Sequence, residues 1–161
     1  MADVKQLIES YNKDNSVVLT KIMKGLKPLE EATKSARKLC FSLDPNNLNK
    51  INELQLRIVG QKSQLQELFS KVDSLKRNKE LAAYMALKVR AEESEGAVKF
   101  VDGASKMEAA FTVADERRVR DHIEGLLKSA DDILKTCRNL NNGVTGDAKE
   151  SQIEKETSVD E

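Results

Sequence analysis

One run of apolar residues limits what this chain can fold into. Ile51, Leu54, Ile58, Gln61, Leu65, Leu68, Val72 and Leu75 follow one another at spacings that alternate between three and four. On a helix such positions fall along one narrow seam, and the seam of a coiled coil repeats every seven residues. Ile51, Ile58, Leu65 and Val72 take one core position and Leu54, Gln61, Leu68 and Leu75 the other. Mostly β-branched residues at the first position and Leu at the second favour two-helix packing. Gln61 is the polar exception, read here as a device for register or partner selection.

The start of this helix is signalled at Asp44-Pro45. Asp suits a helix cap, and Pro suits the first helical turn, where its missing N–H costs nothing. Past Leu75 the seam thins to Lys79, Ala82, Ala86 and Val89, while Leu81, Tyr84, Met85 and Leu87 carry apolar surface to other faces. We expect the helix to end near Glu93, with Gly96 and Gly103 bracketing the short connector Ala97 to Asp102. A return helix is then expected from Ala104 and Ser105, where Ser105 and Glu108 have capping-box spacing. It carries a second seam of Val119, Ile123, Leu126, Ala130, Ile133, Cys137 and Leu140, and Asn141-Asn142-Gly143 signals its end. A long helix, a glycine-bounded connector and a returning helix make a helical hairpin.

Composition agrees with an all-α chain of long helices. Charged residues make up 34% of it and aromatics 4%, with no Trp. A thick core normally draws on large rings. Here Leu, Ile, Val and Ala are spread thinly between charges, as suits helices that each bury a stripe. Residues 1–43 are expected to add one or two short helices. One face is formed by Val4, Leu7, Ile8 and Tyr11; a second, capped by Ser16, has Leu19, Ile22, Met23 and Leu26. Pro28 is expected to kink the helix there, with Ala32, Ala36, Leu39, Cys40 and Leu43 continuing an apolar face beyond it. Residues 44–142 form the hairpin. Residues 143–161 are polar and acidic, with six acidic against two basic side chains from Asp147 on, and read as a disordered tail.

No pattern of catalytic or metal-binding residues stands out, and we read the chain as non-enzymatic and cofactor-free. His122 is the single histidine, flanked by Arg120, Asp121 and Arg118 on a charged face. The acidic groups Glu92, Glu93, Glu95 and Asp131, Asp132 are neighbours in sequence, which diverge around a helix instead of converging on a substrate. Cys40 and Cys137 lie far apart on apolar faces and are read as buried, reduced thiols. No apolar run approaches the ~20 residues that span a bilayer, and the first residues lack the apolar core of a signal peptide. No membrane association and a cytoplasmic setting are therefore expected.

Basic residues gather in three places: Lys21, Lys24, Lys27, Lys34, Arg37 and Lys38; Lys71, Lys76, Arg77, Lys79, Lys88 and Arg90; and Arg117, Arg118 and Arg120. Two readings stay open. They are the flank charge of a coiled coil, or a phosphate-contacting surface that gains strength when copies assemble. Tyr84, close in sequence to Lys79, Lys88 and Arg90, offers a ring on which a base can stack.

The stretch from about Leu48 to Leu140 resembles the small helical recombination mediators of bacteriophages, the UvsY-type family. The resemblance lies in Leu54-Gln55-Leu56-Arg57, in Ala82-Ala83-Tyr84-Met85-Ala86-Leu87-Lys88, in the glycine-bearing connector, and in Ala109-Ala110-Phe111-Thr112-Val113-Ala114-Asp115. It does not extend to the first forty-odd residues or to the acidic tail. It implies an oligomer that binds single-stranded DNA and helps load a recombinase, in the host cytoplasm, with Lys79, Tyr84, Lys88 and Arg90 as the nucleic-acid contacts. The residues themselves point to a non-enzymatic, oligomerising coiled-coil scaffold or adaptor. Its partners are expected to be itself or other helical proteins.

Overall fold

The computed structural model describes the backbone of residues 2–157 apart from Glu95 and Val98, and the side chains of residues 13–143 apart from the same two. The chain is all-helical: α1 spans Ala2–Phe41, α2 Leu48–Glu93, α3 Asp102–Phe111 and α4 Ala114–Thr157. The long helices α2 and α4 pack against each other, as the two seams require. The expected Val4, Leu7, Ile8 and Tyr11 face lies outside the described side chains.

The chain divides into two compact units. One contains residues 1–27 and 66–124, the other residues 28–65 and 125–161. They cut across the sequential division into N-terminal helices, hairpin and tail, because each unit collects a segment of α1, α2 and α4. In the unit of residues 28–65 and 125–161, Ala36 and Cys40 of α1 share one core with Ile51, Leu54 and Ile58 of α2 and Ala130, Ile133, Leu134 and Cys137 of α4. Leu43 and Leu140 pack on that core. Asn141 donates to Asn52 and Gln55, and Lys62 pairs with Asp131. Partner numbers fall on α4 as they rise on α2, so the two helices run antiparallel. In the other unit, Asp73 faces Arg120 and Lys79 faces Glu116, again antiparallel.

The N-terminal region is one 40-residue helix, not one or two short ones. Asn15, Leu19, Ile22, Leu26, Leu29, Thr33, Ala36 and Cys40, with Leu43 just past its end, are buried or half-buried and alternate by four and three; Glu30 and Ala32 are half-buried beside that row. That is a third heptad seam. It passes the expected kink because Pro28 lies off it, exposed inside the helix. A proline there still forfeits a backbone hydrogen bond, at about 3 kcal/mol, and the burial of Leu26 and its neighbours offsets the loss.

Three local signals act differently from expectation. At Asp44-Pro45 the Asp44 carboxylate accepts from the Asn46 N–H in a turn; the side chain that caps α2 is Asn47, whose Oδ1 accepts from the Lys50 N–H at 3.2 Å. The return helix starts at Asp102, and Ser105 lies buried within it, where it cannot cap. It is also two helices, because Thr112 and Val113 break it. Gly103 falls inside α3, whereas Gly96, at φ 94°, makes a left-handed turn that suits glycine. Finally, α4 continues through Asn141-Asn142-Gly143 to Thr157, so the backbone of residues 143–157 is helical where a disordered tail was expected. Gly in a helix costs about 1 kcal/mol and does not forbid it. Ala148, Lys149, Glu150, Gln152, Glu154 and Lys155 are good helix formers.

Leu65 is fully buried and Leu56 is 76% exposed, on the same helix. Urea titrations should find Leu65→Ala destabilising by about 3 kcal/mol and Leu56→Ala within about 0.5 kcal/mol of the parent. Equal effects would mean that the seam does not form the core.

Candidate interaction surface

The seams predicted as interfaces are turned inward, onto the chain itself. Ile51, Leu54, Ile58, Leu65 and Val72 of α2 and Val119, Ile123, Leu126 and Ile133 of α4 are buried; Gln61, Leu68, Leu75 and Leu140 are half-buried. Gln61 sits in this interior with its Oε1 buried and without a hydrogen-bond partner.

The charged member of the interior that sequence reasoning missed, among the described residues, is Glu116. It is 2% exposed, and its Oε1 accepts from the Lys79 ammonium at 2.9 Å. Both occupy seam positions. Lys79 continues the α2 alternation, and Glu116, three residues before Val119, extends that of α4 by one step. The spacing contained the signal, but the charge hid it. A buried ion pair adds little net stability over apolar packing, yet removing one member leaves an uncompensated charge. Sliding α2 by one heptad along α4 would separate the two charges, which disfavours that register.

This pairing commits one of the four proposed nucleic-acid contacts. A second, Tyr84, is committed too: its hydroxyl donates to Asp102 Oδ1 at 2.6 Å, and its ring meets Phe100 edge-on at 5.8 Å. Lys106 pairs with the other Asp102 oxygen. The Lys106 and Tyr84 hydrogen bonds together hold the Asp102 carboxyl below its ordinary range, and the Asp102 bond raises the Tyr84 hydroxyl. Lys88 and Arg90 are exposed. The structure does not gather the four around one surface cleft. Many other basic groups are flank charges: Lys71 with Glu67, Arg77 with Asp73, Lys76 and Arg117 with Glu80, and Arg118 with Asp115. By contrast Lys21, Lys24, Lys27, Arg37 and Lys38 stand exposed on α1.

Among the exposed apolar side chains, which also include Phe41 at 81%, three pairs stand at helical spacing. On α2 these are Leu56 with Val59, and Leu81 with Met85; on α3, Met107 with Phe111, the latter 75% exposed. Leu56 and Val59 line an open groove of about 620 Å³ along α2 and α4, together with Leu134, Arg138 and four amide side chains. An apolar strip edged by amides suits another helix better than a small molecule. His122 is exposed on α4. Among the described residues no group of His, Cys, Asp and Glu has the makings of a metal site, and no helix is long and apolar enough to cross a membrane.

Cys40 and Cys137, distant in sequence, are buried in one core cluster, close enough for Cys40 to act on the Cys137 thiol. Burial, with Cys40 adding to it, pushes the Cys137 thiol up to about 11. No protein-family model matches the chain, and neither a curated protein nor a solved structure matches it.

Two outcomes are expected. Lys79→Met alone should destabilise the chain by about 3 kcal/mol, whereas Lys79→Met with Glu116→Leu should return to within about 1 kcal/mol of the parent; a double variant as weak as the single one would deny the pair its compensating role. For Cys137, the unfolded chain ionises near 9.0 and the folded chain near 11. Its contribution is thus complete below pH 9.0 and lost as pH rises toward 11. Urea midpoints measured across that window should fall less steeply for Cys137→Ala than for the parent, and parallel curves would contradict the shift.

Proposed function

We propose that this chain is a non-enzymatic, oligomerising coiled-coil scaffold, and that it meets its partners through the outer apolar pairs and not through the seams. The observation that carries this reading is the division of the apolar residues. The seams fill the chain's own interior, yet Leu56, Leu81 and Phe111 remain 76%, 62% and 75% exposed. Large apolar side chains paired one helical turn apart are what a partner helix engages. The occupant is a second copy of the chain or another helical protein, and the role is to hold such partners together.

A second reading is favoured by the exposed basic side chains of α1. Lys21, Lys24 and Lys27 in one unit, and Arg37 and Lys38 in the other, are exposed cations suited to phosphates, which keeps a mediator acting on single-stranded DNA and a recombinase as the alternative. Its contacts would then lie on α1 instead of at Tyr84.

Sedimentation from about 1 µM to about 100 µM separates monomer from assembly by mass action. The parent should gain mass across this range. Leu81→Asp with Met85→Asp, or Leu56→Asp with Val59→Asp, should return it to one chain without loss of helicity. A parent that keeps the mass of one chain throughout would overturn the oligomerising reading. In parallel, affinity for single-stranded DNA should show no steep fall with salt; a slope worth several released counterions would favour the second reading.

A further inference from the structure

Neither cysteine is explained by packing alone. A small apolar residue would fill either position, and each thiol taken singly is an ordinary buried cysteine. The feature that needs explanation is that they lie side by side. Cys40 comes from the last turn of α1 and Cys137 from the second half of α4, and the fold brings both into the core with Ala36, Ile58 and Ile133. Both are free thiols, and no metal-binding group of side chains surrounds them among the described residues. Two thiols on different helices, held together by the packing of both, are the reduced form of a cross-link.

We propose that Cys40 and Cys137 form a reversible disulfide that fastens α1 to α4 when the chain meets a low-molecular-weight disulfide oxidant of the glutathione kind. The bond forms in two exchanges. Cys40 is the more accessible of the pair, at 7% against 0%, and lies in the last turn of α1; helix ends are where local opening is easiest. After losing its proton, its sulfur attacks one sulfur of the oxidant, whose S–S bond breaks and releases one small thiol carrying that proton. Cys137, deprotonated in turn, attacks the Cys40 sulfur of the mixed disulfide and expels the second small thiol. Two electrons and two protons pass from the protein thiols to the oxidant, and one protein S–S bond is gained.

The bond would change the behaviour of the chain more than its shape. In the reduced chain α1 is held in this core by side-chain packing, so its end can lift from α4. In the oxidised chain it cannot, and the unfolded ensemble is constrained by a loop that takes in α2, α3 and most of α4. The proposal is independent of the oligomerising reading, since neither cysteine belongs to the outer apolar pairs.

The test is equilibration of the full-length chain in mixtures of reduced and oxidised glutathione, in native buffer and in concentrated urea. Each mixture is approached from the reduced and from the oxidised protein until the two agree, then quenched with an alkylating reagent and weighed by mass spectrometry. The expected native product is a monomeric chain about 2 Da lighter than the reduced one, with neither cysteine alkylated. Its oxidised-to-reduced ratio should be at least about tenfold higher in native buffer than in urea, because the fold supplies the proximity. Cys40→Ala and Cys137→Ala should each abolish the product. The oxidised parent should melt about 5 °C or more above the reduced parent, a difference erased by reductant. A ratio no higher than in urea, a mixed disulfide with glutathione as the end product, or cross-linked dimers in place of the internal bond would each overturn the proposal.

Discussion

The whole arrangement depends on the narrowness of the apolar stripe that each long helix has to bury. A side chain every three or four residues gives a helix one narrow seam, which zips onto a second helix but does not by itself enclose a three-sided core. Three stripes facing one another do make one, and α1, α2 and α4 each supply theirs. This explains how so few aromatic residues suffice. The interior is a row of Ile, Leu, Val, Ala and Cys side chains whose thickness is set by β-branched and small residues, such as Ile58, Ala36 and Ala130, in place of rings.

Within that row, polar groups do what apolar ones cannot. Ile and Leu contacts slide by a heptad at little cost, since the next repeat presents nearly the same surface. Lys79 and Glu116 would be separated by such a slide, which disfavours it where the apolar stripe of α2 is leanest. Asn15 and Gln61, each with a buried side-chain atom lacking a hydrogen-bond partner, mark two further positions where the seam gives up stability.

The all-α class and the two seams could be read from the sequence because periodicity is a local property that no distant contact alters. Ile51 to Leu75 and Val119 to Leu140 fall inside where the spacing puts them. The third seam was harder to see. Asn15, Leu29 and Thr33 belong to it, but polarity at two of these and the proline beside the third disguised a regular alternation. Helix ends were the least legible. Asn47 instead of Asp44 caps α2, and Asn141-Asn142-Gly143 does not stop α4, because turn residues state a preference that neighbouring helix formers override. The candidate surface was legible only in part: the Leu81 to Leu87 stretch was visible as apolar residues off the seam, whereas the engagement of Tyr84 by Asp102 and Phe100 depends on how the connector folds back.

The late position of α4 in the chain has a consequence for biosynthesis. The core is completed by Ile123, Ala130, Ile133 and Cys137, which emerge from the ribosome long after the stripes of α1 and α2. Until then Ile51, Ile58 and Leu65 in one unit, and Val72 in the other, lack the α4 side chains that help bury them in the folded chain.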